Sequence, residues 1–320
     1  MIKRAFRYSR MIGRYMRGYC NAKNFVPAEI PRLSLEVTNV CDSACVFCAN
    51  GSVRRKREPM DMGLFRKAVD EYVSWGGRKL DFNTVIGEPL MDPFLLERLR
   101  YVRSYDQLKT VGFVTNLQWL HKFSLDDFVR SGITWLAVSI VLSGKEKYRA
   151  SFGVDRYDQV IENLINLIDI NKKNNSPLAI LLSLKPTGEK WQSVVLHEDF
   201  KRIESLGSFG LQGQARNSGF VDDWAGSVVL PGFLRRRPFF PRFFRPCRCL
   251  YDSMVVFSNG AIGLCTCRDK DADSDLILGN IRSTSLTEAW TGQKASALRD
   301  AWRGHNTVPM LCRRCTHYLY

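Results

Sequence analysis

Nowhere in these 320 residues does an apolar run approach the ~20 residues that a membrane-spanning helix needs. The basic amino terminus lacks a continuous apolar stretch closed by a small-residue cleavage site, so no secretory signal is expected and the chain is placed in the cytoplasm. Internal repeats and low-complexity tracts are missing as well. Only about 30 residues precede the first strand, too few for a fused peptide-recognition domain. What is present is a globular composition, 45% hydrophobic and 25% charged, long enough for one large domain with a smaller one attached. The formal charge of +15 suits an anionic substrate, a nucleic acid or an acidic membrane surface. Of ten cysteines, all but Cys20 fall as CxxxCxxC, CxC, CxC and CxxC, a spacing that favours metal chemistry in a reducing compartment over disulfides.

Residues 1–31 form a basic extension. Ile2, Phe6, Ile12, Tyr15, Met16 and Tyr19 recur at near-helical spacing among Lys3, Arg4, Arg7, Arg10, Arg14 and Arg17. Such an amphipathic helix either covers one end of a barrel or lies on anionic lipid or an acidic partner. Over 32–211 the chain alternates strands, near 33–37, 80–86, 110–115, 135–141, 178–184 and 208–211, with helices over 61–75, 94–104, 122–130, 157–171 and 197–206. That order predicts an α/β fold, a partial (β/α)6 TIM-like barrel with its chemistry at the strand C-terminal ends. Residues 212–246, with spaced glycines and the Arg and Phe run from Arg235 to Arg245, read as a linker or lid rather than a packed element. Residues 247–320 read as a small α+β unit, a hairpin turning at Asn259-Gly260 and then a helix.

Cys41, Cys45 and Cys48 follow directly on the first strand. Iron–sulfur clusters are normally held by four thiolates, so three would leave one iron open, although the spacing by itself also suits a zinc knuckle. Gly87-Glu88-Pro89 follows the second strand, where a carboxylate can take an ammonium and proline stiffens the turn. In the C-terminal unit the hairpin brings its flanking cysteines together and Cys312-Arg313-Arg314-Cys315 closes a four-thiolate site, for zinc or for a cluster.

Together these motifs resemble the radical SAM superfamily with a C-terminal SPASM/twitch-type auxiliary cluster domain. The resemblance covers nearly everything from Arg32 to Cys315. It implies a [4Fe–4S] cluster on Cys41, Cys45 and Cys48 whose open iron binds S-adenosyl-L-methionine, with Phe47 near the adenine. Gly87, Glu88 and Pro89 match the family's GGEP motif at the methionine amino group, with Ile86 in place of the first glycine. Asn116 lies in a counterpart of the TNG motif whose glycine is missing. Ser139 is carried over from SxDG, although Val141 stands where the acid is usual. Arg149 matches by distance the arginine that pairs with the methionine carboxylate, and Lys185 is a further candidate for that pocket. Cys-x12-Gly-x4-Cys, then Leu278-Gly279-Asn280-Ile281, Ser285-Leu286-Thr287-Glu288-Ala289-Trp290 and the final CxxC, imply an auxiliary [4Fe–4S] cluster on Cys247, Cys265, Cys312 and Cys315. Cys249 and Cys267 remain as hydrogen-atom donors, buried small residues or alternative ligands.

The activity so implied is reductive cleavage of S-adenosylmethionine to a 5′-deoxyadenosyl radical that takes hydrogen from an unactivated C–H bond, as an oxidoreductase or epimerase. The expected substrate is a carbohydrate-like small molecule, anionic or lipid-linked, which is dehydrogenated or epimerised. Flavodoxin or ferredoxin is the expected reducing partner. The alternatives are a radical SAM peptide (RiPP) maturase, RNA modification, and a non-catalytic iron–sulfur electron-transfer or sensor protein.

Overall fold

The computed structural model describes residues 26–82, 85–212, 220–237, 247–303 and 308–317. The expected basic helix over 2–19, Cys20 and most of the Arg and Phe run lie outside them. Six strands, β1 (Leu33–Leu35), β2 (Lys79–Phe82), β3 (Thr110–Thr115), β4 (Trp135–Ile140), β5 (Ala179–Leu184) and β6 (Gly210–Gln212), pair in parallel and in sequence order. Helices α1 (Met62–Ser74), α2 (Leu95–Arg103), α3 (Leu125–Val129), α4 (Lys145–Phe152), α5 (Tyr157–Lys173), α6 (Trp191–Leu196) and α7 (Glu198–Leu206) lie between them. This is the expected partial barrel, and each expected helix is there within a few residues.

Helix α1 shows why the local reading works. Asp61 caps it by accepting from the backbone N–H groups of Gly63 and Leu64 at 2.8 and 3.1 Å. Leu64, Phe65, Ala68, Val69 and Tyr72, spaced three and four apart, are buried against the sheet. Each large apolar side chain so covered contributes ~1.5–3 kcal/mol. The Tyr72 hydroxyl then donates to the Lys79 carbonyl at 2.9 Å, fixing the helix against β2.

Helix α4 was not foreseen. Only Tyr148 and Phe152 give it an apolar face, four residues apart in an otherwise charged and small sequence, too little for a periodic pattern. Strand β2 is described over Lys79–Phe82, and Val85 and Ile86, expected to continue it, instead pack with Trp224, Val255 and Phe257 in a second, smaller apolar cluster.

The C-terminal unit is continuous with the barrel. Its strand β9 (Met254–Val256) pairs in parallel with β1, Leu33 opposite Met254 and Leu35 opposite Val256. Strands β10 (Ala261–Gly263) and β11 (Ile277–Asn280) add antiparallel, completing a nine-stranded sheet. The hairpin turns at Gly260, whose φ of +87° is the left-handed region that glycine enters without a Cβ penalty. Buried Glu36 fastens the turn to β1 by accepting from the Ser258 N–H and hydroxyl at 3.2 and 2.9 Å while it pairs with Arg55. The SLTEAW helix, α8 (Leu286–Thr291), has a complete capping box between Ser285 and Glu288.

The reading of 212–246 as having no packed element needs correction over 220–236. Strands β7 (Phe220–Val221) and β8 (Arg235–Arg236) pair with each other, and Val221, Trp224 and Leu234 are buried. With apolar residues only in runs of two or three between polar, proline and glycine neighbours, this segment carries no periodic signal, and contacts with distant residues order it.

Candidate active site

The loop after β1 is held from three directions. Asn50 Nδ2 donates to the carbonyls of Cys41 and Ser43 at 3.2 and 3.0 Å, and Arg57 clasps Asn50 Oδ1 and the Asn39 carbonyl at 2.7 and 2.6 Å. On the barrel side the Ser43 hydroxyl accepts from Asn116 Nδ2 and Gln118 Nε2, both at 3.0 Å. On the outside the N–H groups of Ala44 and Val46 donate to the carbonyls of Phe152 and Ser151 at 3.1 and 3.0 Å, so the end of α4 is a buttress for the loop. Gly153 closes α4 with φ +71°, and a Cβ there would lie 2.7 Å from the Ala44 carbonyl oxygen.

Cys41, Cys45 and Cys48 therefore stand on a preorganised loop and line a cavity of about 350 Å³ above the strand ends. Phe47, Gly87, Glu88, Asn116, Ser139 and Lys185 line it too. Pro89 does not; it opens a single helical turn, Pro89–Met91, behind Glu88. Arg149 needs correction: it is exposed on α4 and is not part of the cavity wall, because spacing downstream of Ser139 does not fix which face of an intervening helix a residue occupies.

Glu88 binds the chain itself. Its carboxylate accepts from the Thr115 hydroxyl at 2.6 Å and the Leu90 and Asn116 N–H groups at 3.1 and 2.7 Å, tying the end of β2 to that of β3. Burial raises its pKa to about 7. Where the family's TNG has glycine, Leu117 adopts φ +64°, a conformation costing ~1–2 kcal/mol for a residue with a Cβ. The Leu117 N–H donates to Thr115 Oγ1 at 2.9 Å, its carbonyl accepts from Asn163 Nδ2 at 2.8 Å, and its side chain is buried.

Burial, then the Glu88 carboxylate, raises the Cys41 thiol to about 12, and burial raises Cys45 and Cys48 as well. Three thiols so placed become thiolates when a cationic group compensates them, the donor chemistry of a cluster site. Lys185, with Nζ 3.1 Å from Ser183 Oγ and 5.7 Å from the Phe47 ring centre, is lowered to about 8 by burial.

The second thiol site lies in the C-terminal unit. Cys247, Cys249, Cys265, Cys267, Cys312 and Cys315 line one small cavity of about 20 Å³ with Leu250, Leu264, Leu276, Trp302 and Leu311. All six are free thiols. The N–H groups of Arg268 and His317 point at the sulfurs of Cys265 and Cys315, both at 3.3 Å. A soft, all-thiol donor set in apolar walls suits an iron–sulfur cluster. The two cysteines left over by the motif, Cys249 and Cys267, face each other at 3.9 Å between sulfurs. Of the six, Cys267 is the one that also lines the central cavity.

Sequence reasoning missed the wall opposite the strand ends. Asp222, Trp224, Arg237, Arg268 and His317 form it, drawn from the 220–237 segment, the stretch after the hairpin and the tail. Among these, the run Cys265-Thr266-Cys267-Arg268 offered a signal, since a cation beside thiol ligands is buried only for a reason.

Residues 35–195 match the Radical SAM superfamily, and residues 247–316 match an iron–sulfur cluster-binding domain, SPASM. The chain belongs to the radical SAM superfamily, and its C-terminal unit is of the SPASM/twitch type. Its cofactors are accordingly a [4Fe–4S] cluster, S-adenosylmethionine and an auxiliary [4Fe–4S] cluster. Among curated proteins it is similar to the GTP 3′,8-cyclase of Chlorobaculum tepidum, 27% identical over 134 residues, a match spanning 42% of this chain and 40% of that protein. It is also similar to the probable GTP 3′,8-cyclase of Saccharolobus solfataricus, 23% identical over 259 residues and covering 71% and 75%. Among solved structures, BtrN in complex with AdoMet and 2-DOIA superposes with a TM-score of 0.58 at 17% identity, over 90% of this chain and 93% of that one. Streptococcus suis SuiB bound to S-adenosylmethionine gives 0.58 at 15%, over 92% and 70%. These likenesses establish the fold. Among the described residues, no helix is long and apolar enough to cross a membrane.

Proposed function

We propose that this enzyme uses S-adenosylmethionine to dehydrogenate or epimerise a small, polar, sugar-like molecule held in the central cavity. The cofactors would supply a carbon-centred radical able to take hydrogen from an unactivated C–H bond. The residues do the rest. Cys41, Cys45 and Cys48 would hold the first cluster, and Cys247, Cys265, Cys312 and Cys315 the auxiliary one. Gly87, Glu88, Asn116 and Ser139 would orient the methionine part, Lys185 would face its carboxylate, and Phe47 would cover the adenine. The observation that carries the substrate class is the far wall: Asp222, Arg237, Arg268 and His317 make it polar and charged where an apolar substrate would require aliphatic side chains. The likeness to BtrN over most of both chains supports the same class.

Cys267 would be the hydrogen-atom donor in an epimerisation, because its thiol is at the central cavity, with Cys249 behind it. The test is anaerobic turnover of candidate aminocyclitols and sugar phosphates in deuterated water. Deuterium in the product, lost in Cys267→Ala and kept in Cys249→Ala, supports epimerisation. A product that has lost two hydrogens, indifferent to both substitutions, supports dehydrogenation. No 5′-deoxyadenosine above a Cys41→Ala control ends the enzyme reading and leaves an electron-transfer or sensor protein.

A second reading is nucleotide cyclisation. The similarity to GTP 3′,8-cyclases favours it, and Lys185, Arg237 and Arg268 put cationic side chains on one cavity. Incubation with GTP decides it: conversion supports this reading, and unchanged GTP beside turned-over sugar substrates removes it.

A further inference from the structure

Among the described residues, Arg268 is the one outside the cysteines that lines both thiol cavities. Its planar guanidinium is committed in three directions: Nε to Asp222, Nη1 to the Cys267 carbonyl, and Nη2 to His317 Nδ1 at 2.9 Å. Since arginine can only donate, Nδ1 is the accepting nitrogen of that imidazole. The face of the guanidinium lies 4.5 Å from the centre of the Trp224 ring.

Together Arg268 and these partners reach three thiol-bearing segments. Asp222 accepts from the Thr316 hydroxyl at 2.6 Å, beside Cys315. The His317 N–H points at the Cys315 sulfur, and the Arg268 N–H at that of Cys265. Trp224 Nε1 donates to the Phe47 carbonyl at 2.9 Å, one residue before Cys48. The turn that presents Trp224 is strained: Trp224 and Ala225, neither of them glycine, take φ +54° and +56°. Such strain persists only where surrounding contacts over-determine it, and here those contacts run through Asp222 and Arg268.

We propose that Arg268 is a positioning residue that couples the two thiol sites, so that the state of the six-thiol site alters how tightly S-adenosylmethionine is held at the Cys41-Cys45-Cys48 loop. The path runs from Cys265 and Cys315 through Arg268 to Trp224 and the Phe47 carbonyl. A rigid fork with all three edges engaged transmits a displacement that a flexible ammonium would absorb. The proposal rests on the cofactor assignment made above.

The experiment is a double-mutant cycle on reconstituted protein under anaerobic conditions, with S-adenosylmethionine affinity read by equilibrium dialysis and by the change in the cluster's paramagnetic spectrum. Removing the auxiliary ligands with Cys312→Ala and Cys315→Ala is expected to weaken binding about 5–10-fold in the wild-type background. In Arg268→Gln and in Arg268→Lys the same removal is expected to change it less than about twofold. Asp222→Asn, which keeps the guanidinium but weakens its anchor to the tail, serves as a second route and is expected to lower the factor in the same way. An unchanged factor in every background overturns the proposal, as does full coupling in Arg268→Lys, which would mean that charge without the fork suffices. Wild-type protein that binds no S-adenosylmethionine would sink the cofactor assignment itself, whereas intact binding without coupling sinks only this inference.

Discussion

The two thiol sites are built by opposite means. In the first, three cysteines lie within the eight residues 41–48 and nearby side chains hold their loop in shape. In the second, six cysteines come from a hairpin's two flanks and a tail, spread over 247–315, and meet only because β9 joins β1 and the tail folds back. A site made of neighbours in sequence depends on a few hydrogen bonds, whereas one made of distant segments depends on cooperative packing of the whole unit.

The largest expected effect breaks the comparison outright if it goes the other way. Cys41→Ala is expected to abolish 5′-deoxyadenosine formation, since two thiols on that loop do not supply the three ligands the cluster needs there. Cys312→Ala is expected to remove about half of the bound iron and leave cleavage within about tenfold of wild type. Iron content and chromatographic quantitation of 5′-deoxyadenosine check both, and equal silence from the two variants would show that the sites do not divide the work this way.

A smaller effect sharpens the contrast in packing. Gly153→Ala drives a Cβ against the Ala44 backbone carbonyl at 2.7 Å, where nothing can rotate away. Gly260→Ala, at a similar positive φ, meets the side-chain ends of Arg282 and Asn280 at 2.7 and 2.8 Å, which can move. The first is expected to cost about 2–3 kcal/mol and the second about 1–2 kcal/mol in urea denaturation of the cluster-free protein. A reversed order would mean that the Cys loop is the softer of the two regions.

The smallest effect concerns charge facing the first site. Lys185 titrates near pH 8 because burial disfavours its cation. If it faces the methionine carboxylate, S-adenosylmethionine affinity should fall about tenfold between pH 7 and pH 9, and Lys185→Met should bind weakly with no such slope. The stability contribution has the opposite sign. The folded pKa lies below the unfolded value, so the unfolded chain holds more protons between about pH 8 and pH 10.5, and folding is favoured as pH rises through that window. Binding that is flat across pH 7–9 in wild-type protein would remove Lys185 from the carboxylate pocket.

The same division explains what could be read in the residues alone. Strand and helix positions through the barrel follow from alternation and from apolar spacings such as those of Phe65, Val69 and Tyr72, which neighbouring residues encode. Helix α4 and the 220–236 segment escaped because Tyr148 with Phe152, or Trp224 between Asp223 and Ala225, make no periodic pattern. Arg149 was misjudged for a related reason: distance along the chain does not specify the face of a helix.

By itself the sequence determined the family, the order of the barrel and the two sets of thiols, because spacing within a loop and periodicity within an element are local properties of the chain. Tertiary structure alone decided that Cys267 rather than Cys249 reaches the central cavity, that Arg149 stays outside it, and that Asp222, Trp224, Arg268 and His317 meet across it. Those residues are separated by up to about a hundred positions, and which of them touch is selected by how the packed sheet closes on its own ends.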